Sequence, residues 1–330
     1  MYFDIAMPLT LFVVSTASAL LAGKVERKLK SVLEEKEFSV KEAVFLVAAI
    51  SVTVSLIVLV PQMAVMAIFL FSYSMLLFIF TYVFSDFQKT KAKLFSTTIF
   101  LTCLTVAIVS LFTFNSYNIV AYGAIALLCL SAFTFITLLY EENRVVSGER
   151  WYLAILPPAL FILLYLFYSG TPIWFPYLLN MYGVIFAILI TLYLGSLFTW
   201  KTTMIFIGLL TVMDIILVLF TGTMVSAAMH VSSLRLPVLV SVPTIPVIIT
   251  ERGTVYMSLG LGDFFFAGLI GIQSLKKYGK QFALLSLVAM SISFFIFETI
   301  LLNYKLGAFP GTLMIICGWL PLVAFKKLKH

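Results

Sequence analysis

The hydrophobic positions of this chain neither alternate nor fall in short stripes. They fill unbroken runs near twenty residues long, separated by brief polar joints. Alternating segments of about ten residues would mark a membrane β-barrel; runs of about twenty mark helices that cross a bilayer. The runs fall at roughly 4–23, 43–61, 63–84, 95–114, 118–140, 151–169, 175–199, 203–229, 256–274, 281–302 and 308–325. They predict an all-α polytopic membrane protein with about eleven transmembrane helices. The joints at Pro61-Gln62 and around Ser169-Gly170 are the tightest; were two of the eleven runs not separate spans, nine helices would remain with the same alternation of sides. The first run ends in a signal-like "STASALLAG" but lacks a basic leader and carries Asp4, so it is expected to be a retained helix. The longest polar stretch, 24–42, mixes charges of both signs and is expected to form a short surface helix.

Composition agrees with the pattern. The chain is 62% hydrophobic and 11% charged, where soluble domains run at about 25% charged. Its three cysteines, Cys103, Cys129 and Cys317, all lie in apolar runs without metal-type spacing, so they read as small packing residues. With only two histidines, a histidine-built metal centre is not expected, and neither is a cofactor. The net charge of +7 does not indicate nucleic acid, because its distribution is topological. Eighteen of the 21 Lys and Arg residues fall in alternate joints, whereas only Arg235, Arg252 and Lys305 fall in the others. By the positive-inside rule the N-terminus is outside and the C-terminus inside.

Against this background a few acids stand out. A charged side chain at the bilayer centre costs about 2.5–3.5 kcal/mol even on a lenient scale, so such a residue has a partner or a task. Asp4 can reach water from the start of its helix, and Glu298 lies late in its span. Asp214, in "LTVMDIILVLF", and Asp263, in "LGLGDFFFAG", fall near the middle of sequential spans, 203–229 and 256–274. Sequential helices usually neighbour one another. Two carboxylates at one site cannot both ionise cheaply, so the pair would hold a single proton. That arrangement supports peptide hydrolysis: one aspartate draws a proton from water while the other hydrogen-bonds the scissile carbonyl. Intramembrane acids also serve proton-coupled transport and structural hydrogen bonding, and both readings stay open on the acids alone. Gly260 and Gly262, just before Asp263, remove side chains where another backbone could approach.

At these residues the chain resembles the presenilin and signal peptide peptidase family of intramembrane aspartyl proteases, in an archaeal or bacterial form. "LGLGD" (259–263) matches the G-x-G-D motif of the family's second catalytic aspartate, and "MDIILVLFTGTMVSAA" (213–228) resembles the helix carrying the first. "LRLPVLVSVP" (234–243) resembles the segment that follows, and "FPGTLMIICGWLPLVAFKK" (309–327) stands where the family's last helix opens with Pro-Ala-Leu. The resemblance covers about residues 200–330. It implies a catalytic region there, behind a scaffold of about seven spans in 1–199. It implies Asp214 and Asp263 as catalytic residues, with Met213, Gly260, Leu261, Gly262, Pro310, Gly311 and Thr312 as motif or supporting positions. It departs from the family in three ways: Met213 replaces a tyrosine, Gly311-Thr312 replaces Ala-Leu, and eleven spans exceed the family's nine.

The orientation resembles signal peptide peptidase and is opposite to presenilin. It implies single-span substrates or remnant signal peptides with the N-terminus inside, cleaved in the cell membrane of a prokaryote. An inactive relative, a proton-coupled transporter, and a prepilin or preflagellin peptidase, which also uses G-x-G-D, are the competing readings. The Val- and Ile-rich, proline-punctuated segment 235–250 favours extended backbone. Residues Pro237, Val238, Leu239 and Val240 are the candidate edge on which an unwound substrate could add a strand; a plain connecting hairpin is the alternative. Trp151, Trp174, Trp200 and Trp319 lie mostly at span ends, as interface anchors do, and Tyr256 marks a span boundary. Asn180 and Glu298 are further polar residues to test for contact with the two aspartates.

Overall fold

The computed structural model describes residues 2–32, 37–86, 88–113, 118–143, 150–250, 253–304 and 308–328. The chain is an integral, multi-pass, all-α membrane protein. Among the described residues nine helices are long and apolar enough to cross a membrane. Two further helices, Leu261–Tyr278 and Gly311–Leu328, carry the second aspartate and the Pro-Gly-Thr segment. The residues form two units, 1–66 with 179–330, and 67–178.

The second unit contains most of α3 (Gln62–Val83), then α4 (Lys89–Thr113), α5 (Asn118–Asn143), α6 (Trp151–Ala154) and α7 (Leu156–Tyr168), and ends in a π-helical turn at Trp174–Leu178. Helix α4 buries Ala92, Ser96, Ile99, Cys103, Ala107 and Ser110 at three- and four-residue spacing, all but Ile99 small. That stripe of small residues lets α5 approach closely, which is how helices associate where lipid removes the hydrophobic drive. Arg150 and Glu141 form a buried ion pair at 3.0 Å, and Tyr168 donates to Ser110 at 2.7 Å.

The first unit contains α1 (Ala6–Val32), α2 (Val40–Ile57), α8 (Leu179–Leu197), α9 (Trp200–Ile215), α10 (Thr223–Ser233), α11 (Leu261–Tyr278), α12 (Lys280–Tyr304) and α13 (Gly311–Leu328). Helix α1 packs on α8, α11 and α12; α2 packs on α9 and α10; α11 packs also on α8, α9, α12 and α13. Phe198, Phe206, Phe265 and Leu269 form an aromatic-rich core with Ala43 and Val47 of α2. Gly268 and Gly271 set α11 directly against Thr191 of α8 and Leu287 of α12; added methyls would sit 2.5 and 2.9 Å from those side chains.

Several expectations are corrected here. The polar stretch 24–42 is not a separate surface helix, because α1 runs on to Val32 and Ser39 caps α2 with a capping box; residues 33–36 lie outside the described residues. The span 203–229 is broken. Helix α9 gives way to a π-helical turn at Ile216–Phe220, and Gly222 adopts φ +67°, a left-handed conformation that suits glycine. The span 256–274 is not one helix either. Residues Tyr256–Gly260 form strand β4, and α11 starts only at Leu261. Trp174 and Trp319 are buried, not lipid-facing anchors.

Strand β1 (Leu239–Pro243) pairs antiparallel with β4, Val240 opposite Leu259 and Ser241 opposite Ser258; between them β2 (Ile249–Thr250) and β3 (Gly253–Thr254) make a short hairpin. The segment 235–250 thus builds a sheet that ends at the G-x-G-D motif. The sheet fixes where α11 begins.

Candidate active site

Asp263 lies in the first turn of α11 rather than mid-helix. Gly260 is the N-cap, which makes Asp263 the third helical residue. Its carboxylate accepts a hydrogen bond from the Gly260 N–H, the reach-back of a capping box. The spacing of G-x-G-D therefore has a local cause: an acid three positions after the cap folds back onto it. Asp214 is the penultimate residue of α9, immediately before the π-helical turn. It occupies the place where the helix loses its regular bonding.

Helix α13 brings the two acids into one setting. The Thr312 hydroxyl and backbone N–H both donate to Asp214 Oδ2, at 2.6 and 3.2 Å. Its neighbour Gly311 faces the other acid: a methyl at Gly311 would lie 2.7 Å from Asp263 Cγ. Adjacent residues of one helical turn thus touch both carboxylates. Both acids line a single cavity of about 120 Å³, together with Ser51, Met213, Leu217, Gly262, Phe265 and Thr312. That volume admits several waters.

Gly260 is needed close to the acid, since a methyl there would sit 3.3 Å from Asp263 Oδ2. Gly262 is different: a methyl would meet nothing within 4 Å, so its glycine leaves the cavity open and does not serve helix packing. Leu261 is buried and its N–H donates to the Val238 carbonyl at 3.1 Å, tying α11 to the sheet. Met213 packs on the phenylalanine core and lines the cavity. Pro310 is buried and its carbonyl accepts from Met314, starting α13. No family model matches this sequence, and no curated protein matches it. Among the described residues no three or more His, Cys, Asp or Glu side chains converge on a possible metal position.

The two outer edges of the sheet differ: that of β1 lies against α8, and that of β4 carries the exposed Ser258. In an antiparallel pair, successive residues point their N–H and C=O alternately toward the partner and away from it. Ser241 points away from β4, and both its backbone groups are taken by the Asn180 side chain of α8, with the Ser241 N–H at 2.7 Å from Oδ1. Gly183 of the same helix sits against Leu239 and Val240. Helix α8 therefore covers the outer edge of β1, where Pro237, Val238, Leu239 and Val240 were expected to receive a substrate. On β4 the outward groups belong to Tyr256, which is half-buried, Ser258, which is exposed, and Gly260, whose N–H already holds Asp263. A strand added along that edge would run directly past the carboxylate. Asn180 thus serves the sheet rather than the aspartates, and Glu298 faces Asp4 rather than either of them.

Ser51 of α2 was missed by sequence reasoning. A serine among apolar residues of a membrane helix gives no signal until the fold turns it toward the cavity.

Proposed function

We propose that this protein is an intramembrane aspartyl protease that hydrolyses peptide bonds in single-span segments or remnant signal peptides. One observation carries the reading. Asp214 and Asp263 share a cavity with room for water, and consecutive residues of α13 touch both. With one proton between them, the ionised aspartate takes a proton from water as it attacks the scissile carbonyl carbon. The protonated aspartate hydrogen-bonds the carbonyl oxygen. The tetrahedral intermediate then collapses: the C–N bond breaks, and a proton passes to the leaving nitrogen. Bond, water and protons balance without any further reactant. Thr312 donates twice to one Asp214 oxygen, which leaves Oδ1 to face the water. The likeness of 200–330 to presenilins and signal peptide peptidases supports the same reaction, and the charge distribution supports substrates with the N-terminus inside.

A transmembrane helix hides its peptide bonds in its own hydrogen bonds and must unwind before hydrolysis. The β4 edge offers the unwound chain replacement bonds by strand addition. The Ser258 N–H points away from β1, so Ser258→Pro removes one bond offered to substrate while sparing the backbone bonds between β1 and β4; it also deletes the hydroxyl bond between Ser258 and Ser241 at 2.6 Å, which Ser258→Ala deletes alone. Cleavage is expected to fall about tenfold below that of Ser258→Ala, consistent with one lost hydrogen bond, with the two variants melting alike. Unchanged turnover discards substrate addition at this edge.

Thr312→Val deletes one donor to Asp214 at nearly constant shape. Hydrogen bonds to charged groups contribute about 1.5–3 kcal/mol, so kcat is expected to drop by roughly ten- to a hundredfold. Thr312→Ser is expected to restore most of it.

The direct test is a peptide spanning the bilayer once, labelled at both ends, incubated with the purified protein in nanodiscs. Products cut within the span support the reading. A cut at a juxtamembrane bond indicates a prepilin-type peptidase, and acid-dependent proton flux in proteoliposomes without products indicates a transporter.

A further inference from the structure

The chain holds a second pair of acids that the proposed reaction does not use. Asp4 is fully buried. Its carboxylate closes the start of α1, accepting from the N–H groups of Ala6 at 3.0 Å and Met7 at 3.1 Å. It also reaches the loop after β1, accepting from the Ile245 N–H at 2.7 Å, while the Ile5 N–H donates to the Ile245 carbonyl at 3.0 Å. Beside it, Tyr2 and Asn303 exchange two bonds, joining the N-terminus to the end of α12. Residues 2–5 thus clip the loop after β1 and the end of α12 to α1.

Glu298 of α12 lies in the helix stretch beside this clip, between Phe295, whose ring meets Phe3, and Asn303, which bonds Tyr2. It is 1% exposed, and among the described residues neither carboxylate oxygen has a hydrogen-bond partner. The hydroxyl of the adjacent Thr299 also finds no partner among them. Among the described residues of α1, α11, α13 and the sheet, Asp4 is the one charged group whose field reaches Glu298. A buried carboxylate with no donor and a neighbouring negative charge needs a compensating positive charge. A metal ion is poorly served here. The oxygens of Asp4 are already committed to three N–H groups, and hard cations take about six to eight oxygen ligands. A proton needs one oxygen.

We propose that Asp4 and Glu298 form a proton-binding site, with the proton on Glu298, and that its occupancy sets how firmly the loop after β1 is held to α1. With the proton in place, Asp4 keeps its grip on the Ile245 N–H. When the proton leaves, two negative charges face each other in a dry site, and opening the clip lets water reach them. Raising the pH removes the proton, so the clip is fastened at lower pH and released as pH rises.

The test does not depend on proteolysis. Amide hydrogen exchange of the full chain in nanodiscs is followed from about pH 6 to about pH 9, with rates corrected for the intrinsic pH dependence of exchange. Protection at Ile245 is expected to fall about tenfold or more across that range in the wild type, while amides in the middle of α11 stay protected. Glu298→Gln and Glu298→Met each remove the titrating group, and either is expected to keep Ile245 protected throughout. Flat protection in the wild type would overturn the proposal, as would an equal fall in wild type and both variants. Protection that follows sodium concentration at fixed pH would also overturn it, in favour of a metal ion.

Discussion

Asp214→Asn and Asp263→Asn are each expected to lower hydrolysis of a single-span peptide by about a hundredfold or more, the range that general acid–base groups contribute. The amide keeps the size and the acceptor oxygen of the acid. In the first variant the new side chain can still accept from Thr312, and in the second from the Gly260 N–H, so the helices keep their places. What is lost is a group that can take or give a proton. Melting temperature is expected to hold, and peptide binding to persist, so that kcat falls and KM barely moves. The double variant is expected to be scarcely worse than either single one, because two residues sharing one proton act as a unit. In the wild type the rate is expected to fall on both sides of the pH at which the pair holds one proton. A single asparagine variant that retains activity within about threefold would be inconsistent with a general acid–base role at that residue.

These two residues were legible in the sequence because hydrocarbon makes a carboxylate conspicuous, and because Gly-x-Gly-Asp has a spacing with a local cause. Their depth was not legible. "VYMSLGLGDFFFAG" reads as one apolar run, and nothing in Tyr, Met, Ser and Leu separates a strand from the helix that follows. Pairing with Leu239–Pro243 makes the separation, and it moves Asp263 from mid-span to a helix start. The same long-range contact decides which strand edge is open. Asn180 takes both backbone groups of Ser241, a match between residues far apart in the chain that no periodicity records. Glu298 was visible as a buried acid, but Asp4 seemed free to reach water. Only the fold places Asp4 behind the loop at Ile245 and in front of Glu298. Thr312 stood in the motif as part of a turn; its double donation to Asp214 comes from the approach of α13 to α9.

Gly311→Ala is expected to cost nearly as much activity as loss of an aspartate, for a different reason. The added methyl would overlap the Asp263 carboxylate, with Cγ 2.7 Å and Oδ2 3.0 Å away. Gly311 is not among the positive-φ residues, so alanine brings no backbone strain. The conflict is therefore with one side chain. Asp263 can relieve it by turning away from the cavity, which separates it from the water that Asp214 activates. Alternatively α13 can back off, which breaks the two bonds from Thr312 to Asp214. Either outcome disturbs the pair, and misplacing a reacting group by about 1 Å is enough for a loss of about a hundredfold. Stability is expected to change little, because an aspartate side chain yields more easily than a packed helix. Gly208→Ala is the matched control: it lies on the same helix as Asp214, and its methyl would meet nothing within 4 Å. Mid-helix alanine there is expected to add about 0.5–1 kcal/mol of stability with turnover unaltered. An alanine stands at the position of Gly311 in the Pro-Ala-Leu motif that this segment resembles, which sharpens the comparison. If Gly311→Ala holds or raises the rate, α13 works from further away, and its close contact with both acids is not what prepares them. If the rate collapses while the control is silent, the glycine is this chain's own means of seating a helix end against two acids at once.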